Sequence, residues 1–188
     1  MSKKMVDLMI DLETAGNTPQ TPVVSLGAVF FDLETLTKGP KFYMIADVGE
    51  QMRHGRRPDW NTILWWMDQS KSAQKVFKEG VKPVNEVLQT FATWIKANGS
   101  RTKVWGNGST FDISILEDMY RMYGLKCPWL YYNVMDVRTY RRFIADNEKI
   151  EVAGTAHNAL DDADAQVDFI FKHHAKFKAF KAWEESQQ

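Results

Sequence analysis

Two carboxylates, Asp11 and Glu13, stand one residue apart directly after the apolar run Val6–Ile10. In an extended chain residues i and i+2 point to the same face, so both carboxylates can reach one metal ion while Leu12 points into the core. Acidic residues are depleted in strands and a buried unpaired carboxylate is costly, so the pair requires a cation. Because the spacing is common, a solvated turn at a strand end is the alternative interpretation.

A third carboxylate, Asp112, ends the segment Asn107–Asp112, which follows the short apolar strand Val104–Trp105 and precedes a helical pattern. Near a helix N-terminus an aspartate caps free backbone N–H groups or interacts favourably with the helix dipole. A hard dication such as Mg²⁺ needs a few carboxylate oxygens and completes its shell with water and substrate phosphate. If this loop lies beside the first strand, Asp112 joins Asp11 and Glu13 as a ligand.

A histidine, His157, and a group of aspartates mark the start of the last helical segment. An unperturbed imidazole titrates at about 6.5, which suits general-base work near neutral pH, although a surface histidine at a helix start is the alternative. The apolar stripe of this helix lies closer to Asp164 than to Asp162, so periodicity does not choose the acidic partner. Four residues remain open on spacing alone: Asp161, Asp162, Asp164 and Asp168.

Strands must position these side chains. Pro22–Phe31 is rich in β-branched and aromatic residues and predicts a second strand after Val6–Ile10. Lys41–Ile45 predicts a third strand, with Lys38–Pro40 as the turn that precedes it. Strands joined by such short connections pair antiparallel.

From Asn61 onward the apolar spacing becomes helical. The predicted elements are helices over Val84–Ile95, over Asp112–Tyr123 closed by Gly124, and from Ala159 to about Phe177, with a strand over Tyr131–Val137. Three antiparallel strands followed by alternating helices and strands predict an α/β domain with a mixed central sheet flanked by helices.

The composition fits one domain over residues 1–188, and an apolar fraction of 44% excludes a disordered chain. The single cysteine, Cys127, excludes an internal disulfide and a thiolate zinc site, and it fits a reducing cytosol. No stretch approaches the ~20 apolar residues that cross a bilayer, and acidic residues interrupt the N-terminal segment where a signal peptide would be apolar. We therefore expect a cytoplasmic protein with no membrane partner.

The formal net charge is zero, with 24 basic and 24 acidic residues, which argues against binding nucleic acid through a basic surface alone. An enzyme that holds its substrate through metal ions and a few local cations is compatible with this balance. Two basic clusters are candidates for such contacts: Arg53–Arg57, and Arg138 with Arg141 and Arg142. Solvated loop and helix faces are the alternative for each arginine.

The three chemical segments, in this order, resemble the three exonuclease motifs of the DEDDh class in the proofreading-exonuclease superfamily. The matching motifs are Asp11-x-Glu13, Asn107-x-x-x-Phe111-Asp112 and His157-x-x-x-x-Asp162. The resemblance implies a ribonuclease-H-like fold and His157 as the general base. It also implies four metal ligands: Asp11, Glu13, Asp112 and Asp162.

Within that class the stretch DLETAGNTPQTPVVSLGAVFFD and the segment Thr62–Ser70 resemble a short phage and bacterial branch related to phage exodeoxyribonucleases. Ser25 stands where polymerase-type proofreaders often have an acidic residue, and His157 stands where the sister class has tyrosine. The likeness extends from about Val6 to Phe171.

The resemblance implies hydrolysis from the free 3′ end of a single-stranded nucleic acid, with DNA favoured, to nucleoside 5′-monophosphates. Two Mg²⁺ or Mn²⁺ ions, ~3.5–4 Å apart across the scissile phosphate, are implied in such a site. Candidate substrate contacts are Thr14, Asn107, Trp65 and Trp66. Adjacent helical residues diverge by about 100°, so one tryptophan belongs to the core and the other is available to stack on a base. The sequence does not decide which of the two faces the substrate.

Three other functions compete with a DNA exonuclease. A structure-selective endonuclease of the same fold has the same motifs, because terminal specificity depends on a closed pocket. A 3′–5′ exoribonuclease also fits, because no feature of the sequence recognises or rejects a 2′-hydroxyl. A catalytically silent nucleic-acid-binding module fits least well, because all five motif residues are present and one substitution would cripple the site.

Overall fold

Six strands form one sheet in the computed structural model, which describes residues 4–144, 148–154 and 157–187. In chain order they are β1 (Met5–Thr14), β2 (Val23–Asp32), β3 (Thr37–Ala46), β4 (Val81–Lys82), β5 (Gly99–Gly106) and β6 (Val134–Asp136). Their spatial order is β4-β3-β2-β1-β5-β6. The first three strands pair antiparallel, whereas β4, β5 and β6 each join a neighbour in parallel. The predicted mixed sheet is confirmed.

Helices cover both faces of this sheet. In the described part of the chain they are α1 (Val48–Arg53), α2 (Trp60–Met67), α3 (Lys71–Gln74), α4 (Val84–Asn98), α5 (Asp112–Met122), α6 (Val137–Ile144) and α7 (Ala159–Glu185). Short 3₁₀ turns occupy Lys75–Phe77 and Tyr131–Asn133. No helix in the described ranges is long and apolar enough to cross a membrane.

The alternation of side chains along β1 divides the core into two layers. Leu8, Ile10 and Leu12 pack into the layer that contains residues of α4 and α5, which confirms the inward direction of Leu12. Met9 packs into the opposite layer, with Val167 and other residues of α7. Since successive strand residues point to opposite faces, Asp11 and Glu13 belong to the α7 side. The strand thus presents its acidic residues to α7 and its leucines to the main core.

The turn predicted at Lys38–Pro40 is wrong. Residues 33–36 make the turn, where the Asp32 carboxylate accepts a hydrogen bond from the backbone N–H of Glu34 at 2.8 Å. Lys38 and Pro40 lie within β3, where the register with β2 shifts between Val29 and Phe31. A register shift of this kind accommodates a proline inside a strand, because one backbone group drops out of the ladder there.

Two later predictions differ from the structure in extent. The strand predicted over Tyr131–Val137 is reduced to β6, because Asp136 accepts a hydrogen bond from the backbone N–H of Thr139 at 2.7 Å and so begins α6. The last helix continues past Phe177 to Glu185. The end of α5 agrees with the prediction, since Gly124 has a φ of +64° directly after it.

Candidate active site

Three parallel strands, β1, β5 and β6, end at the same edge of the sheet. Asp11 and Glu13 lie in the last part of β1, and Asp112 is the first residue of α5, after the loop that follows β5. Asp162 lies in the first turn of α7. Because the strands are parallel, the segments singled out by the sequence analysis meet at this one edge.

The first turn of α7 rests directly on β2. Gly27 of β2 pairs with Asp11 of β1, and a β-carbon at Gly27 would overlap the backbone of Ala159 and Leu160. Glycine is therefore needed at this position for the helix to approach the sheet. Asn158 caps the helix, its side-chain oxygen accepting a hydrogen bond from the backbone N–H of Leu160 at 3.0 Å. Together these contacts fix the start of α7 beside the carboxylates of β1.

Asp112 is held against β1 by a buried hydrogen bond. Its Oδ1 accepts from the backbone N–H of Leu12 at 3.2 Å. A β-carbon at Gly106 would lie 3.4 Å from Asp112 Oδ2, so the glycine gives the carboxylate room. Burial raises the pKa of Asp112 to about 7. The N-cap position of α5 belongs to Phe111, so the capping alternative for Asp112 does not describe this helix.

Glu13, His157 and Asp162 form a tight cluster in which one possible ligand atom from each residue lies within 4.8 Å of the others. Burial, followed by the charge of Asp162 and a hydrogen bond to it, raises the pKa of Glu13 to about 8. Burial also raises the pKa of Asp162, against the effect of hydrogen bonds from Glu13 and from the backbone N–H of His157. The two carboxyl groups thus face each other at hydrogen-bond distance, an arrangement that a bound cation would stabilise.

Asp11 completes the group and has a partner that the sequence analysis missed. Gln166 Nε2 donates to Asp11 Oδ1 at 2.7 Å, and Gln166 Oε1 is buried with no hydrogen-bond partner among the described residues. Burial, together with the charges of Asp112, Glu13 and Asp162, raises the pKa of Asp11 well above its usual range. Gln166 lies four residues after Asp162, and this i, i+4 spacing on one helix face was the available signal.

The four aspartates that spacing left open on α7 are separated by the structure. Two of them make ion pairs with β3: Lys38–Asp164 at 2.8 Å, Lys41–Asp164 at 2.6 Å and Lys38–Asp168 at 2.7 Å. Asp161 lies beside Gly154, where a β-carbon would overlap its carboxylate. Asp162 is the residue that faces Glu13.

The donor set fits a hard divalent cation. Carboxylate oxygens are the ligands that Mg²⁺ and Mn²⁺ prefer, and four carboxylates with raised pKa values converge here. Like charges in a buried place cannot all ionise unless positive charge compensates them. The unpaired Gln166 Oε1 is a further oxygen in the same place. We conclude that the residues present suit a divalent metal centre.

The histidine of this cluster has an unusual backbone. His157 has a φ of +64°, a left-handed conformation that costs residues other than glycine on the order of 1–3 kcal/mol unless neighbours support it. Its ring meets Trp65 edge to face, with the ring centroids 4.6 Å apart. Trp65 is 41% exposed, whereas Trp66 is 3% exposed and its Nε1 donates to the Thr14 carbonyl at 2.9 Å. Trp66 therefore belongs to the core, and Trp65 lies open beside His157.

The two remaining candidate substrate contacts differ in availability. Thr14 is buried, and its hydroxyl donates to the Gly16 carbonyl at 2.7 Å, so the hydroxyl serves the loop after β1. Asn107 is half-buried in the loop before α5, and its Oδ1 has no hydrogen-bond partner within the described ranges. Asn107 Oδ1 therefore keeps an unused capacity to accept a hydrogen bond, although that atom is itself buried.

The basic cluster Arg53–Arg57 is not a uniform cationic surface. The Arg56 side chain is 0% exposed and pairs with Asp118 at 2.8 Å. It also donates to the carbonyls of Thr21 at 2.8 Å and Pro19 at 3.0 Å, which fastens the loop between β1 and β2 to α5. The interpretation of Arg56 as a possible phosphate contact is wrong, because all of its visible partners are internal.

Comparisons with known proteins agree with this geometry. Residues 6–173 match the model of a family described as the 3′-5′ exoribonuclease Rv2179c-like domain. An exodeoxyribonuclease of Enterobacteria phage T4 is 29% identical over 131 residues, covering 62% of this chain and 56% of the phage protein. The chain thus spans little more than half of that relative's length.

Solved structures share the fold. The nuclease domain of 3′hExo, a DEDDh family member bound to rAMP, gives a TM-score of 0.60 at 17% identity, covering 91% of this chain and 92% of that one. E. coli exonuclease I in complex with a dT13 oligonucleotide gives a TM-score of 0.66 at 13% identity, covering 94% of this chain and 43% of that one. The ribonuclease-H-like fold predicted from the resemblance is confirmed.

Proposed function

This chain belongs to the Rv2179c-like 3′–5′ exoribonuclease domain family, and on that premise we propose that it is a metal-dependent 3′–5′ exonuclease of single-stranded nucleic acid. The observation that carries the proposal is the convergence of Asp11, Glu13, Asp112 and Asp162 at one sheet edge, with His157 within 4.8 Å of Glu13 and Asp162. A structural cluster of buried carboxylates without a cation would destabilise the fold, so a binding role explains it better.

In the proposed reaction a water molecule attacks the phosphorus of the last phosphodiester bond, and the bond to the 3′ oxygen breaks. His157 accepts a proton from the water, the departing 3′ oxygen takes one from solvent, and a nucleoside 5′-monophosphate leaves. Asp11, Glu13, Asp112 and Asp162 would hold two Mg²⁺ or Mn²⁺ ions. When bound, such ions supply positive charge at the scissile phosphate, which stabilises the transition state.

Neighbouring residues orient the carboxylates and the imidazole of the proposed site. Gln166 orients the Asp11 carboxylate by donating to Oδ1, and the Leu12 backbone orients Asp112. Trp65 holds the His157 ring from one side, and its exposed face is placed to stack on the terminal base. We assign the Asn107 amide to the sugar or base of the substrate; its Oδ1 is buried without a partner among the described residues, so this contact requires the side chain to turn outward.

Two substrate classes have specific support. We propose DNA first, because the phage relative is an exodeoxyribonuclease. RNA is the second candidate, because the family is described as exoribonuclease-like. DNA and RNA strands of one sequence that contains neither thymine nor uracil differ only by the 2′-hydroxyl, so such matched strands separate the two candidates.

Digestion of 5′-labelled single strands tests the proposal. With Mn²⁺ the parent should shorten a linear strand in single-nucleotide steps, leave a circular single strand intact, and stop when a chelator is added. Cleavage of the circular strand would show that the protein is an endonuclease of the same fold and not an exonuclease. If protein that binds Mn²⁺ leaves both linear DNA and linear RNA uncut, the chain is a catalytically silent nucleic-acid-binding module and not a nuclease.

Metal should also stabilise the protein, and more strongly at higher pH. The raised pKa values of Glu13 and Asp112 mean that the metal-free fold loses stability as these groups ionise, between about pH 4 and pH 8. Bound cations reverse that loss. At one hundred times the dissociation constant, binding adds about 2.7 kcal/mol, or roughly 5–10 °C in Tm for a chain of this size.

Thermal melting of chelator-treated protein measures this effect. The Tm should fall as the pH is raised from about 5 to about 8, and millimolar Mn²⁺ should restore it. Glu13→Gln removes one ionisable group and should weaken both the pH effect and the Mn²⁺ effect. A melting curve that Mn²⁺ leaves unchanged at pH 8, in protein shown to be metal-free, would contradict the metal centre.

A further inference from the structure

One arginine, Arg138, lies beside the carboxylate site and has no role in the proposed reaction described above. Arg138 is in the first turn of α6, which begins directly after β6 at the edge where β1 and β5 also end. Its side chain covers Gly108: a β-carbon there would lie 3.0 Å from the Arg138 Cζ and 3.1 Å from Nη1. The guanidinium therefore lies against the backbone of the loop that leads to Asp112.

Within the described residues, no partner neutralises the charge of Arg138. Arg138 is exposed, and it makes no ion pair with any residue in the described part of the chain. The nearby carboxylate of Asp136 is occupied, since it accepts from the backbone N–H of Ser109 at 2.6 Å and of Thr139 at 2.7 Å. Gly108, which the guanidinium covers, lies four residues before Asp112, so the cation borders the loop that leads to this carboxylate.

The loop before α5 leaves room for the guanidinium. Gly108 has a φ of +108°, and the absence of a β-carbon leaves the space that the guanidinium fills. The hydrogen bond from Ser109 to Asp136 ties the same loop to the start of α6. An exposed arginine that lies over a loop beside four carboxylates, yet forms an ion pair with none of them, is available to an anion that comes from outside.

We propose that Arg138 forms a phosphate-binding subsite of this protein, which takes a phosphodiester group of the substrate strand beside the carboxylate centre. This inference rests on the proposed nuclease function. Phosphate oxygens match the planar donor fork of a guanidinium, which binds two of them at once. With a net charge of zero, the chain needs such local cations to hold a polyanion near an acidic site. Arg138 would guide the strand past the repulsion of those carboxylates.

Salt dependence of binding provides the test. A 5′-fluorescein-labelled single-stranded oligothymidylate is titrated with parent and variant protein in chelator, at several KCl concentrations. Each phosphate neutralised on a single strand contributes about 0.7 to the slope of log K against log salt. Arg138→Gln should weaken binding and lower the slope by about 0.7, whereas Arg138→Lys should keep the slope and lose part of the affinity.

Arg101→Gln is the matched control. Arg101 is exposed at the start of β5, the end of that strand opposite to the site, so the variant loses the same charge elsewhere. Its slope should equal that of the parent. In activity assays Arg138→Gln should raise KM about tenfold and leave kcat within a few-fold, which is the pattern of lost uniform binding.

The outcomes separate the two proposals. If the parent shortens strands in steps but Arg138→Gln and Arg101→Gln have the same slope as the parent, the subsite is wrong and the nuclease function stands. If the parent neither binds nor cuts single strands, the function fails and the subsite fails with it. Because Arg138→Lys keeps the charge, it gives a second slope to compare if Arg138→Gln melts at a lower temperature.

Discussion

Replacing Asp162 by Asn should lower the rate of strand hydrolysis by at least about 10³-fold, because a lost metal ligand removes several kcal/mol of transition-state stabilisation and each 1.36 kcal/mol is tenfold in rate. Asn keeps the size of the side chain and an oxygen that can accept the backbone N–H of His157. Asp162 carries a burial penalty in the metal-free fold, so its loss should not lower the Tm of chelated protein.

Asp164→Asn is the matched control, on the same helix and with the same chemical change. Asp164 pairs with Lys38 and Lys41 on β3, so the variant should lose a little stability and keep a rate within a few-fold of the parent. Initial rates on a 5′-labelled strand at saturating Mn²⁺ measure both variants. An active Asp162→Asn protein together with an inactive Asp164→Asn protein would show that Asp164, and not Asp162, is the acidic residue of α7 that the reaction needs.

The other three carboxylates should be as sensitive to substitution as Asp162. Asp11→Asn, Glu13→Gln and Asp112→Asn should each reduce hydrolysis by a comparable factor, because the proposed metal centre needs all four carboxylates. Such effects are not additive, so a double variant should be little worse than either single one. A rate that fell in equal steps with each substitution would indicate independent roles instead of a shared one.

Helical periodicity does not identify which aspartate of α7 faces Glu13. An apolar stripe defines which face of a helix is buried, and that stripe lies nearer to Asp164 than to Asp162. The structure selects Asp162 because Gly27 lets the first turn of α7 rest on β2, beside Asp11. A missing β-carbon on a strand has no periodic signature, so this contact is invisible before the fold is known.

For the other site residues too, local sequence patterns predict some positions, and contacts between distant parts of the chain determine the rest. The position of Asp11 and Glu13 at a strand end and that of Asp112 at a helix start were predictable from local patterns, and the sheet brings them together as expected. Gln166 and the burial of Arg56 were not predictable, since each depends on a partner far along the chain: Asp11 is 155 residues from Gln166, and Asp118 is 62 residues from Arg56. Local pattern locates charged groups, but tertiary contact decides which of them are used.

Replacing His157 should lower turnover by about 10²–10⁴-fold, the usual contribution of a positioned general base. The choice of substitute matters, because His157 has a φ of +64° and the backbone N–H of that residue donates to Asp162. Alanine would be strained there, whereas asparagine and glycine accept left-handed backbone. His157→Asn and His157→Gly therefore test the imidazole with the least disturbance to Asp162.

The controls distinguish a base from a metal ligand and from a helix start. A base does not hold the ions, so the Mn²⁺-induced rise in Tm should survive in His157→Asn, and free imidazole should restore part of the rate of His157→Gly. Parent activity should rise with pH, because a general base must be unprotonated to accept a proton, and the variants should lack that rise. His54→Ala, at the exposed end of α1, should leave the rate unchanged. If the Mn²⁺ effect on Tm disappears with the imidazole, His157 is a ligand, and if turnover stays within a few-fold of the parent, it only begins the helix.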